Sequence, residues 1–284
     1  MKKNIIVNMP QMALGALSEN WLFKELGDAH WKMICDGLNT KSYNLKNDTH
    51  DRLYATFVRI QLDSRPSLKA FRENAECHLD GEIERFGNAM YFSKVTLKSD
   101  EAIATGRLMT TFSVRDLTDN TKLAKGEPEV SHNMVAQVTK LPQIGSEYRL
   151  LKKKVLEQLV FDDYVFDLDM NTKPIFEMSY NLNPYYDING VNLLYFAAYP
   201  IINDFCEAQY FNTLENLPSR WEQSYYTTYK DVFYYANCNP SDQLTYRLHQ
   251  CKRLDTDSYL VSSSISRNSD DAIIARVFSV KTKK

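Results

Sequence analysis

The feature that most restricts this chain is that it says the same thing twice. Leu53-Tyr54-Ala55-Thr56-Phe57 is matched 172 positions later by Tyr225-Tyr226-Thr227-Thr228-Tyr229, and Asn20 by Asn192 at the same spacing. Ser99-Asp100-Glu101-Ala102-Ile103 is matched 170 positions later by Ser269-Asp270-Asp271-Ala272-Ile273, and Ile5-Ile6-Val7 falls opposite Ile175-Phe176-Glu177. Four short matches in one order, at nearly one offset, point to a tandem duplication. Each copy must then fold from one pattern, and a chain of 284 residues is long enough for two ordinary cores.

The pattern within a copy is one helix followed by long strands. In the first copy Met9 to Trp31 reads as a strand exit, a turn at Gly15 and the start of a helix. Ser18 is placed to accept from the free amides of the first turn. Leu22, Leu26, Ala29 and Met33 recur at helical spacing, and Gly37 is the expected stop. Strands are expected at 5–7, 53–62, 68–79, 89–98 and 103–114, with Gly81, Gly87 and Ser99-Asp100 as punctuation. The second copy restarts at Pro174. A Gly-bearing loop, Asp187 to Gly190, leads into an apolar helix that Pro200 should kink or interrupt. Its strands are expected at 225–235, 244–253, 259–267 and 272–280. Residues 116–173 lie outside the repeat: a polar loop, then a connecting helix over 147–159, whose Lys152-Lys153-Lys154 run reads as a solvated face.

A long helix wrapped by a curved antiparallel sheet, twice over, predicts an α+β tandem (double) hotdog. The expected division is 1–140, the N-terminal hotdog with a trailing linker, and 141–284, the connecting helix and C-terminal hotdog. With two halves standing in for a dimer, a homodimer of the whole chain stays open.

Composition narrows the function. A net charge of −2 argues against nucleic acid or an anionic membrane as partner, and 44% hydrophobic with 25% charged residues is a globular balance. No run reaches membrane-spanning length, the start is too short for a signal peptide, and five unpaired cysteines suit a reducing cytoplasm, the expected location. There is no His/Cys cluster at ligand spacing, no G-x-S-x-G and no glycine-rich phosphate loop, and 9 glycines are few for a nucleotide-binding α/β fold. Neither a metal nor an organic cofactor is expected.

The helix starts are the better candidates, because free amides and the helix dipole favour developing negative charge. Ser18 and Asn20 at the first, and Asp187, Asn189 and Gly190 at the second, form the substrate-binding and oxyanion set. Asp187 could act as base or nucleophile, or be a turn residue bonding its own backbone. Tyr54 could be a core tyrosine, one of 18 in the chain, or a phenol that donates to an enolate, protonates a carbanion or attacks. His30, beside Trp31, reads as helix packing rather than a base.

The segments MPQ, LSENWLFKELGDAHW and RLYATFVRI, with NGVNLLYFAAYP in the second half, resemble the double-hotdog bifunctional acyltransferase/decarboxylase family of polyketide biosynthesis, the family of the leinamycin-pathway enzyme. The resemblance covers roughly residues 9–62, with support at 189–200. It implies an enzyme that decarboxylates methylmalonyl-CoA (or malonyl-CoA) and delivers the resulting propionyl group to an acyl carrier protein. It also implies a catalytic tyrosine, carried here onto Tyr54. On this reading the bulky Trp21, Leu22 and Phe23 narrow the acyl pocket. Two rivals stand beside it: a hotdog acyl-CoA thioesterase using Asp187, and a non-catalytic acyl-binding protein.

Overall fold

The computed structural model describes residues 1–130, 133–169, 173–214 and 220–283. The first half runs β1 (Lys2–Ile6), a small hairpin of β2 (Met12–Ala13) and β3 (Ala16–Leu17), helix α1 (Glu19–Gly37), then β4 (Leu53–Arg65), β5 (Glu76–Phe86), β6 (Met90–Lys98) and β7 (Ile103–Arg115). Short strands β8 (Leu123–Lys125) and β9 (Ala136–Gln137) add to β7 and β5. Then come α2 (Gln143–Lys152) and a hairpin of β10 (Gln158–Phe161) and β11 (Tyr164–Asp167). The second half is β12 (Phe176–Asn181), α3 (Pro184–Asp187), α4 (Ala198–Phe211), α5 (Trp221–Ser224), β13 (Tyr225–Tyr234), β14 (Gln243–Arg253), β15 (Ser258–Arg267) and β16 (Ile273–Lys283).

The strand order is β1-β5-β6-β7-β4-β13-β16-β15-β14-β12, so the second half repeats the first in reverse across a seam between β4 and β13. The fold is the double hotdog: each half is an antiparallel sheet against its own helix. Bulges fix the internal register. β4 skips Val58 opposite β7, and β13 skips Thr228 opposite β16, which places equivalent residues of these strands 170 apart. The seam agrees, because Gln61 and Asp231, also 170 apart, lie directly opposite each other. Tyr226 is therefore equivalent to Thr56, and Tyr54 to Ser224. Tyr54 and Tyr226 share equivalent strands, but the sequence match slipped by two residues, which keeps each side chain on the same face.

Helix α1 buries Leu22, Leu26, Ala29 and Met33, the predicted stripe, and packs on β5, β6 and β7. Ser18 caps it, its Oγ accepting from Trp21 N at 3.3 Å. Gly37 is the last helical residue rather than the stop; the left-handed turn follows at Asn39. Other departures are local. The expected strand at 68–79 is a 3-10 turn at Leu68–Ala70, with β5 starting at Glu76 and running through Gly81. Helix α4 starts at Ala198, eight residues beyond Gly190, and Pro200 sits in its first turn. No intrahelical amide is needed there, so it neither kinks nor breaks the helix. The connecting helix is shorter and earlier than expected, and the β10–β11 hairpin follows it. Both pack on the outer face of the sheets, Tyr148, Leu151, Leu159 and Phe166 clustering with Val58, Met109, Tyr229, Phe233 and Phe278.

Candidate active site

β4 and β13 pair only between Arg59–Asp63 and Tyr229–Phe233. Beyond Phe233 the strands splay, because the two sheets twist apart. The opening is a cavity of about 620 Å³ between the halves. One wall is Tyr54–Val58 of β4 with Lys24, Gly27, Asp28 and Trp31 of α1; the other is Leu193–Phe196, Tyr199 and Tyr234–Asn237 of the second half, with Tyr148 of α2. Gly27 is what lets the walls meet: a Cβ there would stand 2.3 Å from Phe196 Cζ, and Phe196 lies on Phe57 with ring centroids 4.2 Å apart.

Three of the six wall tyrosines are committed to holding the wall. Tyr199 donates to Ala236 O at 2.9 Å, Tyr234 to Phe196 O at 3.1 Å and Tyr148 to Tyr234 O at 3.3 Å. Burial pushes Tyr199 and Tyr234 well above an ordinary phenol and Tyr148 up to about 12. The Asn237 side chain holds both N and O of Leu194, at 2.9 and 3.1 Å. Tyr54 differs. It is half-buried on the wall, the Arg52 guanidinium lies 4.9 Å from its ring, and nothing among the described residues hydrogen-bonds its hydroxyl. Lys24, Arg52, Lys125, Arg149 and Lys152 also line the cavity, against a single carboxylate, Asp28. Burial and the charge of Asp28 raise Tyr195.

Of the residues singled out in the sequence, Tyr54 and Asn189 reach this cavity; Ser18, Asn20, Asp187 and Gly190 do not line it. Asn189 Oδ1 accepts from Val191 N and Leu193 N at 3.0 and 3.1 Å, bracing its own loop. Asp187 is 4% exposed and ends a four-residue helix instead of preceding one; its Oδ2 accepts from Asn183 N at 2.7 Å and Tyr180 OH at 3.0 Å. The premise of a second helix start there does not hold, because the chain from 188 to 197 is loop. Leu22 and Phe23 are core residues and none of Trp21–Phe23 lines the cavity, so they do not narrow it. His30 is packing: fully buried, bonded to Ser93 at 2.6 Å and Thr110 at 2.8 Å, and pushed by burial down to about 3.

At the other end of the seam the equivalent ground is occupied. Phe57 and Thr110 pair across β4 and β7 as Thr227 and Lys281 pair across β13 and β16. There, Lys230 bonds both oxygens of Asp204 at 2.7 Å and also Glu19 of α1. Lys281 reaches Asp204 at 2.9 Å and Thr227 at 3.0 Å, with Glu207 3.7 Å away. Burial would raise Asp204, but the two lysines outweigh it and hold it down at about 2; burial keeps Glu207 above the ordinary range. Sequence reading missed this cluster, Asp28 and the wall tyrosines, which come from segments far apart in the chain.

No protein-family model matches the sequence, and no curated protein sequence matches it. Solved structures do. A protein described as an oleoyl thioesterase from Lactobacillus plantarum superposes with TM-score 0.68 at 12% identity, over 99% of this chain and 95% of that one. The 12:0-ACP thioesterase from Umbellularia californica gives 0.63 at 10% identity, over 100% and 97%. An acyl-ACP thioesterase from Bacteroides thetaiotaomicron gives 0.58 at 10%, over 99% and 97%. At these identities the likeness establishes the fold along the whole chain.

Proposed function

We propose that this chain is an enzyme acting on acyl thioesters, with the acyl group held in the cleft between the halves and Tyr54 as the catalytic hydroxyl. The observation that carries the reading is that Tyr54 lies on the cavity wall with an uncommitted hydroxyl, while Tyr148, Tyr199 and Tyr234 are tied to backbone carbonyls. The solved neighbours, whose names describe acyl-ACP and oleoyl thioesterases, support the substrate class. The cations on the lining suit the phosphates of a CoA or carrier-protein arm.

The finer reading follows the family resemblance. Methylmalonyl-CoA, or malonyl-CoA, loses CO2 to leave a thioester enolate. A phenol donor at the enolate oxygen and a water-poor wall lower that barrier. Protonation at carbon gives the propionyl thioester. A carrier-protein thiol then attacks the carbonyl, and the CoA thiolate leaves with the proton. Tyr54 serves as hydrogen-bond donor or as a transient acyl acceptor. A cavity of about 620 Å³ is larger than a propionyl group needs and accommodates part of the pantetheine arm as well.

A second reading, hydrolysis, is favoured by the neighbours' names. Asp187 does not line the cavity, so the carboxylate available to a water is Asp28. Mass spectrometry after incubation with methylmalonyl-CoA, malonyl-CoA, propionyl-CoA and a chain-length series, with and without carrier protein, separates the readings. Propionyl-CoA or propionyl-carrier from methylmalonyl-CoA supports decarboxylation. Free CoA from a simple acyl-CoA supports hydrolysis, and no turnover of any thioester refutes the enzyme reading.

A further inference from the structure

The outer face of the second sheet carries a buried cation without a counter-charge. Arg276 of β16 is 7% exposed, and no carboxylate among the described residues pairs with it. The other buried arginines are neutralised: Arg59 by Asp231 at 2.7 Å and Arg267 by Asp270 at 2.6 Å. Burial accordingly pushes Arg276 below an ordinary guanidinium.

Arg276 lies over the Phe278 ring, 5.0 Å from its centroid, and opposite Phe233 of β13; toward β15 its neighbours are polar. The register sets it opposite Ser264 of β15, which opposes Arg247 of β14; Ser262 lies one row along the same face. Ser262 and Ser264 are each 1% exposed. His249, in the bulge of β14, bonds Ser264 Oγ through Nε2 at 2.7 Å. Burial first, then the charges of Arg276 and Arg247, push that imidazole down to about 4. Tyr235, just past β13, lies two residues beyond Phe233, which opposes Arg276, and its amide bonds Ile274 O at 2.9 Å. Four buried polar atoms here have no hydrogen-bond partner: Arg276 Nε, Ser262 Oγ, His249 Nδ1 and Tyr235 OH. They are half of the eight such side-chain atoms found among the described residues.

Each orphaned buried group is costly, and an unpaired buried charge more so. Guanidinium, phenol and hydroxyl all donate, and the imidazole Nδ1 donates when Nε2 accepts from Ser264. Donors gathered about an uncompensated cation are the complement of an oxyanion. We infer that Arg276, Ser262, His249 and Tyr235 form a binding site for a small oxyanion, one carboxylate or phosphate group, on the outer face of the second sheet. The site is separate from the cleft chemistry, although Tyr235 also contributes to the cleft wall. It stands whether or not the proposed activity is right.

The test uses the full chain in chloride, with phosphate, sulfate, acetate or malonate added at matched ionic strength, followed by thermal melting and calorimetry. A saturable rise in Tm, absent with chloride alone, is expected. Its order among phosphate, acetate and malonate tells free phosphate from an organic carboxylate. Arg276→Met should abolish the response while melting no lower than wild type in chloride, since it removes an unpaired charge. Ser262→Ala and Tyr235→Phe keep the charge and cover the case in which Arg276→Met does not fold. Each should weaken affinity roughly tenfold or more, as for a hydrogen bond to a charged group. No saturable response in wild type, or affinities unchanged in Ser262→Ala and Tyr235→Phe, overturns the site.

Discussion

Asp231→Asn tests whether the seam between the halves is held by the network drawn above. Asp231 is fully buried and accepts from four donor atoms: Arg59 Nε at 3.0 Å, Arg59 Nη2 at 2.7 Å, Gln61 Nε2 at 3.0 Å and Tyr229 OH at 3.1 Å. Arg59, also fully buried, then has Glu147 at 2.7 Å as its one carboxylate partner among the described residues, beside the Ile144 carbonyl at 2.9 Å. Removing one member of a buried pair strands the other, at about 3–5 kcal/mol. Glu147 itself is 19% exposed, so Glu147→Gln, which removes the other ion pair of the same arginine, should cost about 1 kcal/mol or less. Arg59→Met with Asp231→Leu replaces the pair by apolar side chains and should recover most of the loss. Equilibrium urea unfolding, followed by circular dichroism and by tryptophan fluorescence, measures all three. Trp21 and Trp31 report on the first half and Trp221 on the second. If Asp231→Asn costs no more than Glu147→Gln, or the double variant is as unstable as the single, the seam is held by packing and the charge network is incidental.

Tyr54→Phe should lower turnover on the thioester substrate by a factor on the order of 100 or more, as for loss of one oxyanion donor, with little change in melting temperature. Tyr226→Phe, on the equivalent strand at the other end of the seam, should leave turnover nearly intact; equal, mild effects would make Tyr54 a packing residue. Gly27→Ala pushes a methyl group into Phe196 and should shrink the cavity, so acyl-thioester binding weakens more than stability falls; unchanged binding would show that Phe196 swings aside at no cost. His30 has a folded-state pKa lowered to about 3 by burial, so the unfolded chain takes the proton first. Stability is whole above about pH 6.5 and falls by about 1.4 kcal/mol per unit as pH drops below it, an effect that His30→Gln removes. Parallel stability profiles for wild type and His30→Gln between pH 6.5 and 5 would contradict this.

The repeat, the α1 stripe and nearly every long strand were legible because they are local and periodic: Leu22, Leu26, Ala29 and Met33 all face the core, and β13 to β16 start and end within three residues of expectation. The exact register was not. Tyr54 resembles Tyr226 in letters, but equivalence is set by where β4 and β13 bulge, and a bulge leaves no mark in composition. The second helix was read too early because the apolar run Leu193–Ala198 has helical composition. In the fold, Asn189 and Asn237 hold that run open as loop through side-chain bonds to Val191, Leu193 and Leu194. Tyr54 was visible as a candidate through its repeated strand pattern and through the resemblance. Its partners were not, because the cavity is assembled from α1, β4, α2 and the loop before α4.

Duplication explains why one cleft is hollow and its counterpart is not. A dimer of identical hotdogs would carry two equal clefts, since symmetry ties every residue to its copy. Once the halves are one chain, the copies can differ. At the cavity, the paired positions on β4 and β7 are Phe57 and Thr110, and the helix behind them offers a neutral His30. At the counterpart, the same positions are Thr227 and Lys281, and the helix offers Asp204 and Glu207. An apolar group placed there would separate ammonium and carboxylate groups paired out of water and leave buried charges uncompensated. Lys230 and Lys281 are paired there with Glu19 and Asp204, and Glu207 stands 3.7 Å from Lys281. The charges there are already paired with one another, and Glu19 reaches in from the first half's helix, so the cluster joins the halves. If the chain acts on acyl thioesters as proposed, the acyl chain lies at the end of the seam where the wall is aromatic and where Tyr54 is.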